Sequence, residues 1–575
     1  MIVPFPLRRQ LAIAVLLACF SLAVRIPFLM RSEAFFDSDE AVEGLMARHV
    51  LHGELQTFFW GQSYKGVPET YLVAVAFLAF GSRVAVLKSV TAALFALYVG
   101  AGFVLLTRWF GWRVAAASSV VAATGPPALI YWTLSANAEF VLIMLLGTVL
   151  LLLVPAPGQR VSRGRRAAFG VVAGLGAWTH PLIAGYLLPL GLLGLLGSGW
   201  WRANRSRRLV RALIVGRAEG RPRPLVLICN TAALLYAGLG TTAFVTGGID
   251  VSLSGLTITA HNPQKMAAIA IVCGLFTVTT VVLTEFSGAM ARVWREARPA
   301  LAGFLVGYAP VLLHALRGGR VGAPLRSMDL EKLRHAVPAM LHDIPTILTG
   351  FAGPATDRLP LPIVLAVPAG VALMLYLWDS RPPLWAALTV QPRTWSPGEA
   401  FFPVFLLMLA AAFVVSGMCL DAYSYRYLIP AYAAVPVALT LGCRSAGRWG
   451  RWLQVVLFAA ILGTFSVQDL LWFRTLRPDP CDSRVIACLR ALDVRGGRAD
   501  YWVSYRTTFL SGEDPVIAPE AGIDRYPAYS QFVAGLDRVA HLRRLPGGTP
   551  ASGALQCRCG SLEAFVRDNR STPER

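Results

Sequence analysis

The sequence predicts an all-α polytopic membrane protein of about 11–13 transmembrane helices, with interfacial helices in its first outer loop and a small α/β extracytoplasmic domain at its C-terminal end. Three observations predict this. Hydrophobic residues make up 55% of the 575 residues and charged ones only 15%. Apolar runs of membrane-spanning length recur from residue 11 to residue 471, after which the chain turns polar. The net charge of +21 comes from arginines gathered in short connections between apolar runs, where they orient a membrane protein. No basic module interleaved with aromatics is present, so nucleic acid is not an expected partner.

Arg8 and Arg9 precede the first apolar run, as in a signal peptide, but no small-residue cleavage site lies ahead of Arg25-Ile26-Pro27. Segment 11–30 therefore reads as a retained anchor. With arginine-rich connections placed inside, the remaining spans are 83–107, 114–130, 139–154, 167–178, 182–196, 225–245, 266–282, 300–316, 361–378, 401–418, 427–441 and 452–471. The inside connections are 108–113, 159–166, 201–224, 292–298, 379–399 and 444–451. A threading with two fewer crossings leaves the earlier topology unchanged. Stretch 70–81 is too short to span and reads as a helix along the outer interface, started by Pro68 and stopped by Gly81.

The chain divides into a membrane region, 1–474, and a soluble domain, 475–575. Within the first, 31–82 is the first outer loop and 317–360 a second, with an interfacial helix expected over 328–341 from Leu330, Leu333, Val337 and Leu341. In the tail, Ser483 ahead of Val485, Ile486 and Leu489, and Ser561-Leu562-Glu563 ahead of Phe565, signal helices, while 501–510 and 515–519 read as strands. Cys557 and Cys559 are too close to pair easily. Cross-pairing with Cys481 and Cys488 is the natural pattern in an oxidising compartment, and free thiols remain the alternative.

Function is concentrated in the first outer loop, which carries Asp37-Ser38-Asp39-Glu40-Ala41, Arg48-His49 and Tyr64-Lys65-Gly66-Val67-Pro68-Glu69. The threading adds Glu139, His180 and 421–426 to the same face. A transporter would set ionisable groups at mid-membrane within broken helices, whereas an enzyme acting on a lipid-linked substrate would set them here. Each residue also has a purely structural reading. Asp37 or Ser38 caps a helix whose apolar face, Val42, Leu45, Met46, His49 and Val50, lies on the membrane. Lys65 and Arg426 anchor at headgroups, Glu139 starts a helix, and His180 makes a tight turn before Pro181. Asp37 and Asp39 also have the spacing of two carboxylates on a divalent cation, so such an ion is an open option although no cofactor is required.

Asp39-Glu40-Ala41 with Met46-Ala47-Arg48, the run Gly61-Gln62-Ser63-Tyr64-Lys65-Gly66-Val67-Pro68-Glu69, and Tyr425-Arg426-Tyr427-Leu428-Ile429-Pro430 resemble the GT-C superfamily of membrane glycosyltransferases. The nearer likeness is to bacterial enzymes similar to protein O-mannosyltransferases and the lipid A aminoarabinose transferase. Where some relatives carry Glu-Lys-Pro-Pro, this chain has Tyr64 to Glu69. The resemblance implies a GT-C-like fold in a bacterial inner membrane, with site and tail outside. It implies a polyprenyl-phosphate-linked sugar as donor, a lipid, glycan or protein hydroxyl as acceptor, and inversion at the sugar. Asp39 becomes the base, with Glu40 or Asp37 beside it, and Glu69 positions acceptor or sugar. Lys65 and Arg426 stabilise the leaving phosphate, with Arg48 in reserve, and Tyr64, Glu139, His180 and Tyr425 line the substrate site. The rival reading is a flippase or transporter of lipid-linked saccharides, and a third is a scaffold that has lost activity.

Overall fold

The computed structural model describes residues 6–136, 139–155, 161–196, 224–246, 248–253, 256–260, 287–322, 362–380, 397–415, 422–445, 449–544 and 555–568, with short fragments between 159 and 338. The expected span 266–282 and the interfacial helix 328–341 lie largely outside the described residues, as does most of 201–224 and 379–399.

A membrane bundle opens with α1 (Leu7–Met30), which packs along α4 (Val84–Phe110). Between them the loop folds into α2 (Ser38–Leu51) and α3 (Pro68–Phe80). Both start and stop as their sequences direct: Asp37 Oδ1 accepts the Glu40 N–H at 2.9 Å, Pro68 opens α3, and Gly81 closes it at φ +82°. Then follow α5 (Trp112–Thr124), α6 (Pro127–Trp132), α7 (Phe140–Leu153), α8 (Arg163–Thr179) and α9 (Ala184–Leu196). α1, α4 and Gly450–Thr475 are each long and apolar enough to cross a membrane, and the pairs Trp294–Gly307 with Ala309–Leu316 and Ser424–Ala433 with Val435–Arg444 reach that length together across bends of 63° and 50°. The chain is a multi-pass membrane protein.

Several boundaries differ from those expected. The span expected over 114–130 is broken between α5 and α6, where Gly125 takes φ +64° and Pro126 and Pro127 follow. Pro127 has no N–H to give to the Ala123 carbonyl four residues earlier. Arg25, fully buried in α1, fills that gap: its Nη1 donates to the Ala123 oxygen at 2.8 Å, its Nε to Thr133 Oγ1 at 2.8 Å, and Asp469 supplies opposite charge. The basic connections expected over 159–166 and 292–298 are partly or wholly helical, in α8 and in Ser287–Gly307. Arginine is a good helix former, so a charge run does not by itself end a helix. The span expected over 427–441 is a 3-10 stretch, Ala422–Ala433, followed by Val435–Ser445.

α8 and Ser287–Gly307 form the most closely packed helix pair. A Cβ on Gly170 or Gly174 would lie 1.9 Å or 2.2 Å from the carbonyl oxygen of Ala300 or Phe304, and one on Gly303 or Gly307 would lie 2.1 Å or 2.2 Å from that of Ala167 or Val171. Both helices thus carry glycines four residues apart on the facing side, which lets the backbones touch in lipid without a hydrophobic driving force.

The tail corrects two expectations. Segment 501–510, expected as a strand, is the helix Tyr501–Leu510, capped by Asp500, whose side chain accepts the Trp502 N–H at 2.8 Å. Segment 561–568, expected as a helix, is the strand Leu562–Asp568. Aromatic and β-branched content misled in the first and the Ser561-Leu562-Glu563 helix-start signal in the second, because tertiary packing outweighs local propensity. The helix Cys481–Ala491 and the strand Val516–Pro519 match their signals. The sheet runs Val516–Pro519, Gly496–Ala499, Arg538–Arg544, Leu562–Asp568, Leu555–Cys559, with the first three neighbours parallel and the last two pairings antiparallel. Disulfides join Cys481 to Cys559 and Cys488 to Cys557, tying the helix to the sheet edge.

The glycine seam makes a direct test. Gly303→Leu should push α8 and its partner apart and cost about 1–3 kcal/mol or more, read as a lower melting temperature in detergent. Gly102→Leu, at a glycine with open space around it, should leave the melt unchanged.

Candidate active site at the loop end of the bundle

α2 is held by one buried ion pair. Lys88, in the first turn of α4, places its Nζ 2.6 Å from both Glu40 oxygens, and both side chains are fully buried. The Ala136 N–H adds a bond to Glu40 Oε2 at 3.3 Å. Burial raises the Glu40 carboxyl and Lys88 opposes that rise. The pair therefore fixes which way the remaining acids of α2 point.

One set points into the bundle. Glu43 accepts from Thr70 Oγ1 and lies 4.0 Å from Lys65 Nζ. Glu69, in the first turn of α3, accepts from Thr91 Oγ1 at 2.5 Å. Glu139 sits at the start of α7 with φ +55°, a left-handed conformation strained for a non-glycine residue, and Lys65, Glu43 and Glu69 are its electrostatic neighbours. All four side chains are nearly inaccessible, at 1–3% exposure. Four carboxylate oxygens, Glu43 Oε2, Glu69 Oε2 and both of Glu139, have no hydrogen-bond partner among the described residues. Burial, and for Glu69 also the charge of Glu43, raises these acids, Glu69 to about 7. One lysine facing three buried acids is an arrangement that functional sites favour and stable cores avoid.

The loop that presents Lys65 is clamped to the end of α8. The Gly66 N–H donates to the Thr179 carbonyl at 3.1 Å, Trp178 Nε1 donates to the Thr57 carbonyl at 2.8 Å, and a Cβ on Gly66 would lie 2.1 Å from the Trp178 oxygen. Only glycine permits that approach. Lys65 Nζ also lies 3.8 Å over the Phe59 ring. His180 Nδ1 accepts the Leu182 N–H at 3.1 Å, which leaves any proton on Nε2; burial and then Lys65 push its imidazole down to about 3, so it stays neutral.

The other set points to the tail. Asp39 Oδ1 accepts from the Tyr501 hydroxyl and lies 3.8 Å from Arg525 Nη2, and its side chain remains 33% exposed. Asp37, besides capping α2, accepts from Tyr131 at 3.3 Å, and burial followed by the charge of Asp39 raises it. Around them the tail grips α2. Ser38 Oγ donates to the Trp502 carbonyl at 2.9 Å and accepts the Arg506 N–H at 3.1 Å, Trp60 stacks on Tyr526 at 4.1 Å, and a Cβ on Gly44 would strike the Phe509 ring at 2.4 Å.

These placements sort the residues singled out in the sequence. Asp39, Lys65, Glu69, Glu139, His180 and Tyr64 gather around one end of the bundle, Tyr64 edge-on to His180 at 6.1 Å. Tyr425 and Arg426 adjoin it through Trp132, whose Nε1 donates to the Tyr425 hydroxyl at 2.9 Å, and through Tyr427, packed at 6.1 Å on Phe140. Two others are occupied elsewhere. Glu40 is spent on Lys88, and Arg48 holds α2 to Ser82 Oγ, ahead of α4, at 2.6 Å and to the tail through the Phe509 carbonyl at 2.9 Å and Glu513. Val42, Leu45 and Met46 are fully buried beneath the tail and α3, so α2 does not lie on lipid as its apolar face suggested. Glu43, Lys88, Tyr501 and Arg525 were missed. Glu43 was legible one turn beyond Asp39, and Lys88 as a lone cation opening an apolar run, but nothing in the tail sequence marks Tyr501 or Arg525. Among the described residues no group of three or more His, Cys, Asp or Glu is placed to hold a metal ion, and Asp37 and Asp39 turn to different partners.

No protein-family model matches the chain, and no curated protein sequence matches it. Among solved structures it is similar to ArnT from Cupriavidus metallidurans bound to undecaprenyl phosphate, at 15% identity and a TM-score of 0.37 over 96% of this chain and 97% of that one. It is also similar to the Archaeoglobus fulgidus oligosaccharyltransferase tethered to an acceptor peptide with the NVT sequon, at 14% identity and a TM-score of 0.47 over 93% and 69%. AglB from the same organism, with an inhibitory peptide and a dolichol-phosphate, gives 13%, 0.45, 92% and 69%. These likenesses assign no role to any residue of this chain.

Two expectations follow from the geometry. Lys88→Met should destabilise the protein by about 3–5 kcal/mol by leaving Glu40 buried and unpaired, and adding Glu40→Gln should recover most of that loss; thermal unfolding of the two variants measures it. The second concerns pH. Burial alone would lower the His49 imidazole, but hydrogen bonds to Glu513 at 3.1 Å and Glu54 at 2.9 Å outweigh it and raise the group above its ordinary value of about 6.5. Its contribution to tail docking is then complete below about pH 6.5 and lost as pH rises through the raised value. Limited proteolysis of the tail should find the native chain better protected than His49→Gln at pH 6 and equal to it at pH 9.

Proposed function

We propose that the chain is a membrane glycosyltransferase that moves a sugar from a polyprenyl-phosphate donor to a hydroxyl-bearing acceptor on the extracytoplasmic face. The observation that carries this reading is the set of four buried carboxylate oxygens around Lys65 that have no hydrogen-bond partner among the described residues, next to a partly exposed Asp39. Buried acceptors of that kind need hydroxyl donors, which a sugar supplies in number, and the buried Lys65 ammonium suits a phosphate. A site gathered at helix ends under a soluble domain also suits a substrate whose lipid tail stays in the bilayer.

In this reading the acceptor hydroxyl attacks the anomeric carbon from the face opposite the phosphate. Its proton passes to the Asp39 carboxylate as the new C–O bond forms. The bond from the anomeric carbon to the phosphate oxygen breaks, and the electron pair leaves with the polyprenyl phosphate. Lys65 stabilises that charge, with Arg426 on the neighbouring edge. Glu69, Glu139 and Glu43 orient sugar hydroxyls, and the tail, 475–575, closes the site from above. The configuration at the sugar inverts.

Purified protein given a labelled polyprenyl-phosphate sugar should transfer it to an acceptor or slowly hydrolyse it. Asp39→Asn should lower that rate by about 10²–10⁴-fold with an unchanged melting temperature. A full rate in Asp39→Asn would remove Asp39 as the base. Movement of lipid-linked sugar across liposomes, with no transfer and no hydrolysis, would establish the transporter reading instead.

A further inference from the structure

At the opposite end of the bundle from Asp39 lies a cavity of about 980 Å³ that the proposed transfer reaction does not use. Four arginines line it: Arg108 at the end of α4, Arg113 at the start of α5, Arg444 at the end of Val435–Ser445, and Arg451 at the start of Gly450–Thr475. They come from chain positions more than 300 residues apart and converge on one space. No Asp or Glu is among the lining residues. Arg108 is already turned to neutral partners, with Nη1 3.0 Å from the Leu152 carbonyl and Nη2 2.9 Å from that of Val154, so its charge is not cancelled. Arg113, Arg444 and Arg451 are exposed. Between the arginines the walls combine apolar Val104, Phe110 and Val114 with uncharged polar Gln10, Thr107, Thr440 and Gln454, and Trp112 is exposed, 5.6 Å beneath the Arg113 guanidinium.

Arginines at helix ends serve membrane orientation whatever they touch. Orientation alone does not require that four of them share one partly apolar cavity that no Asp or Glu among the described residues lines. We propose that this cavity is a binding site for the phosphodiester headgroup of an anionic glycerophospholipid. Guanidinium forks match phosphate oxygens bidentately. The apolar walls take the first carbons of the acyl chains, and Trp112 sits at the depth where indole rings mark the interface. The arginine-rich end is also the one that the positive-inside bias places toward the leaflet rich in anionic lipid.

The test uses the full chain purified in mild detergent and offered phosphatidylglycerol or phosphatidylcholine, with bound lipid counted by native mass spectrometry. Phosphatidylglycerol should be retained at one molecule per chain and phosphatidylcholine should not. The double variant Arg444→Gln/Arg451→Gln should lower the apparent affinity about thirtyfold, and Arg444→Lys/Arg451→Lys should restore part of it, with melting curves confirming that both variants fold. Equal retention of the two lipids, or unchanged retention in the Gln variant, would overturn the proposal. So would displacement of phosphatidylglycerol by millimolar inorganic phosphate, which would mark a site for the free anion.

Discussion

The loop end of this molecule depends on the Glu40–Lys88 pair. An acid-rich helix cannot be set against a membrane bundle unless something compensates its charge, and a carboxylate removed from water costs several kcal/mol when left alone. Two contacts of 2.6 Å to one ammonium, with a further backbone N–H, meet that cost at a single point. With Glu40 fixed against α4, helical geometry turns Glu43 toward Lys65 and Thr70, and Asp39 toward the tail. One residue is consumed so that its neighbours can remain available.

The inner cluster has the opposite character. Its three acids share one lysine, and burial raises the Glu43 and Glu69 carboxyls above their ordinary range. A fold selected only for stability would replace such a group with apolar side chains or complete its hydrogen bonds. The strained backbone at Glu139 and its two oxygens, without a hydrogen-bond partner among the described residues, point the same way: the cost is borne locally and compensated by rigid surroundings, the glycine contact of Gly66 with Trp178 among them.

Much of the fold was legible because membrane spans announce themselves by length and hydropathy, and the helix starts at Asp37 and Pro68 follow from capping chemistry. The breaks were harder. Gly125-Pro126-Pro127 interrupts a span because Arg25, far away in sequence, can satisfy the carbonyl that Pro127 abandons, and no local pattern encodes that partner. The two wrong assignments in the tail, 501–510 and 562–568, concern short segments whose state is set by the sheet, which the first packs against as a helix and the second joins as a strand. Of the site, the carboxylates and Lys65 were readable as anomalies of composition. Their division between pinning, binding and catalysis was not, because it turns on Lys88, Thr70, Thr91 and Tyr501, ordinary residues until packing brings them near.

Tyr501 bears on whether Asp39 can serve as a base at all. The Tyr501 hydroxyl donates to Asp39 and at first sight competes with the acceptor hydroxyl for it. The contacts, however, are confined to one oxygen: Tyr501 and Arg525 both approach Oδ1, and among the described residues no hydrogen bond reaches Oδ2. A carboxylate has lone pairs enough on its second oxygen to accept a hydroxyl proton while the first is held. Tyr501 then orients the group, with Arg525 Nη2 3.8 Å from the same oxygen. Because both residues belong to the tail, in the proposed reaction Asp39 is aligned only when the tail is seated on α2.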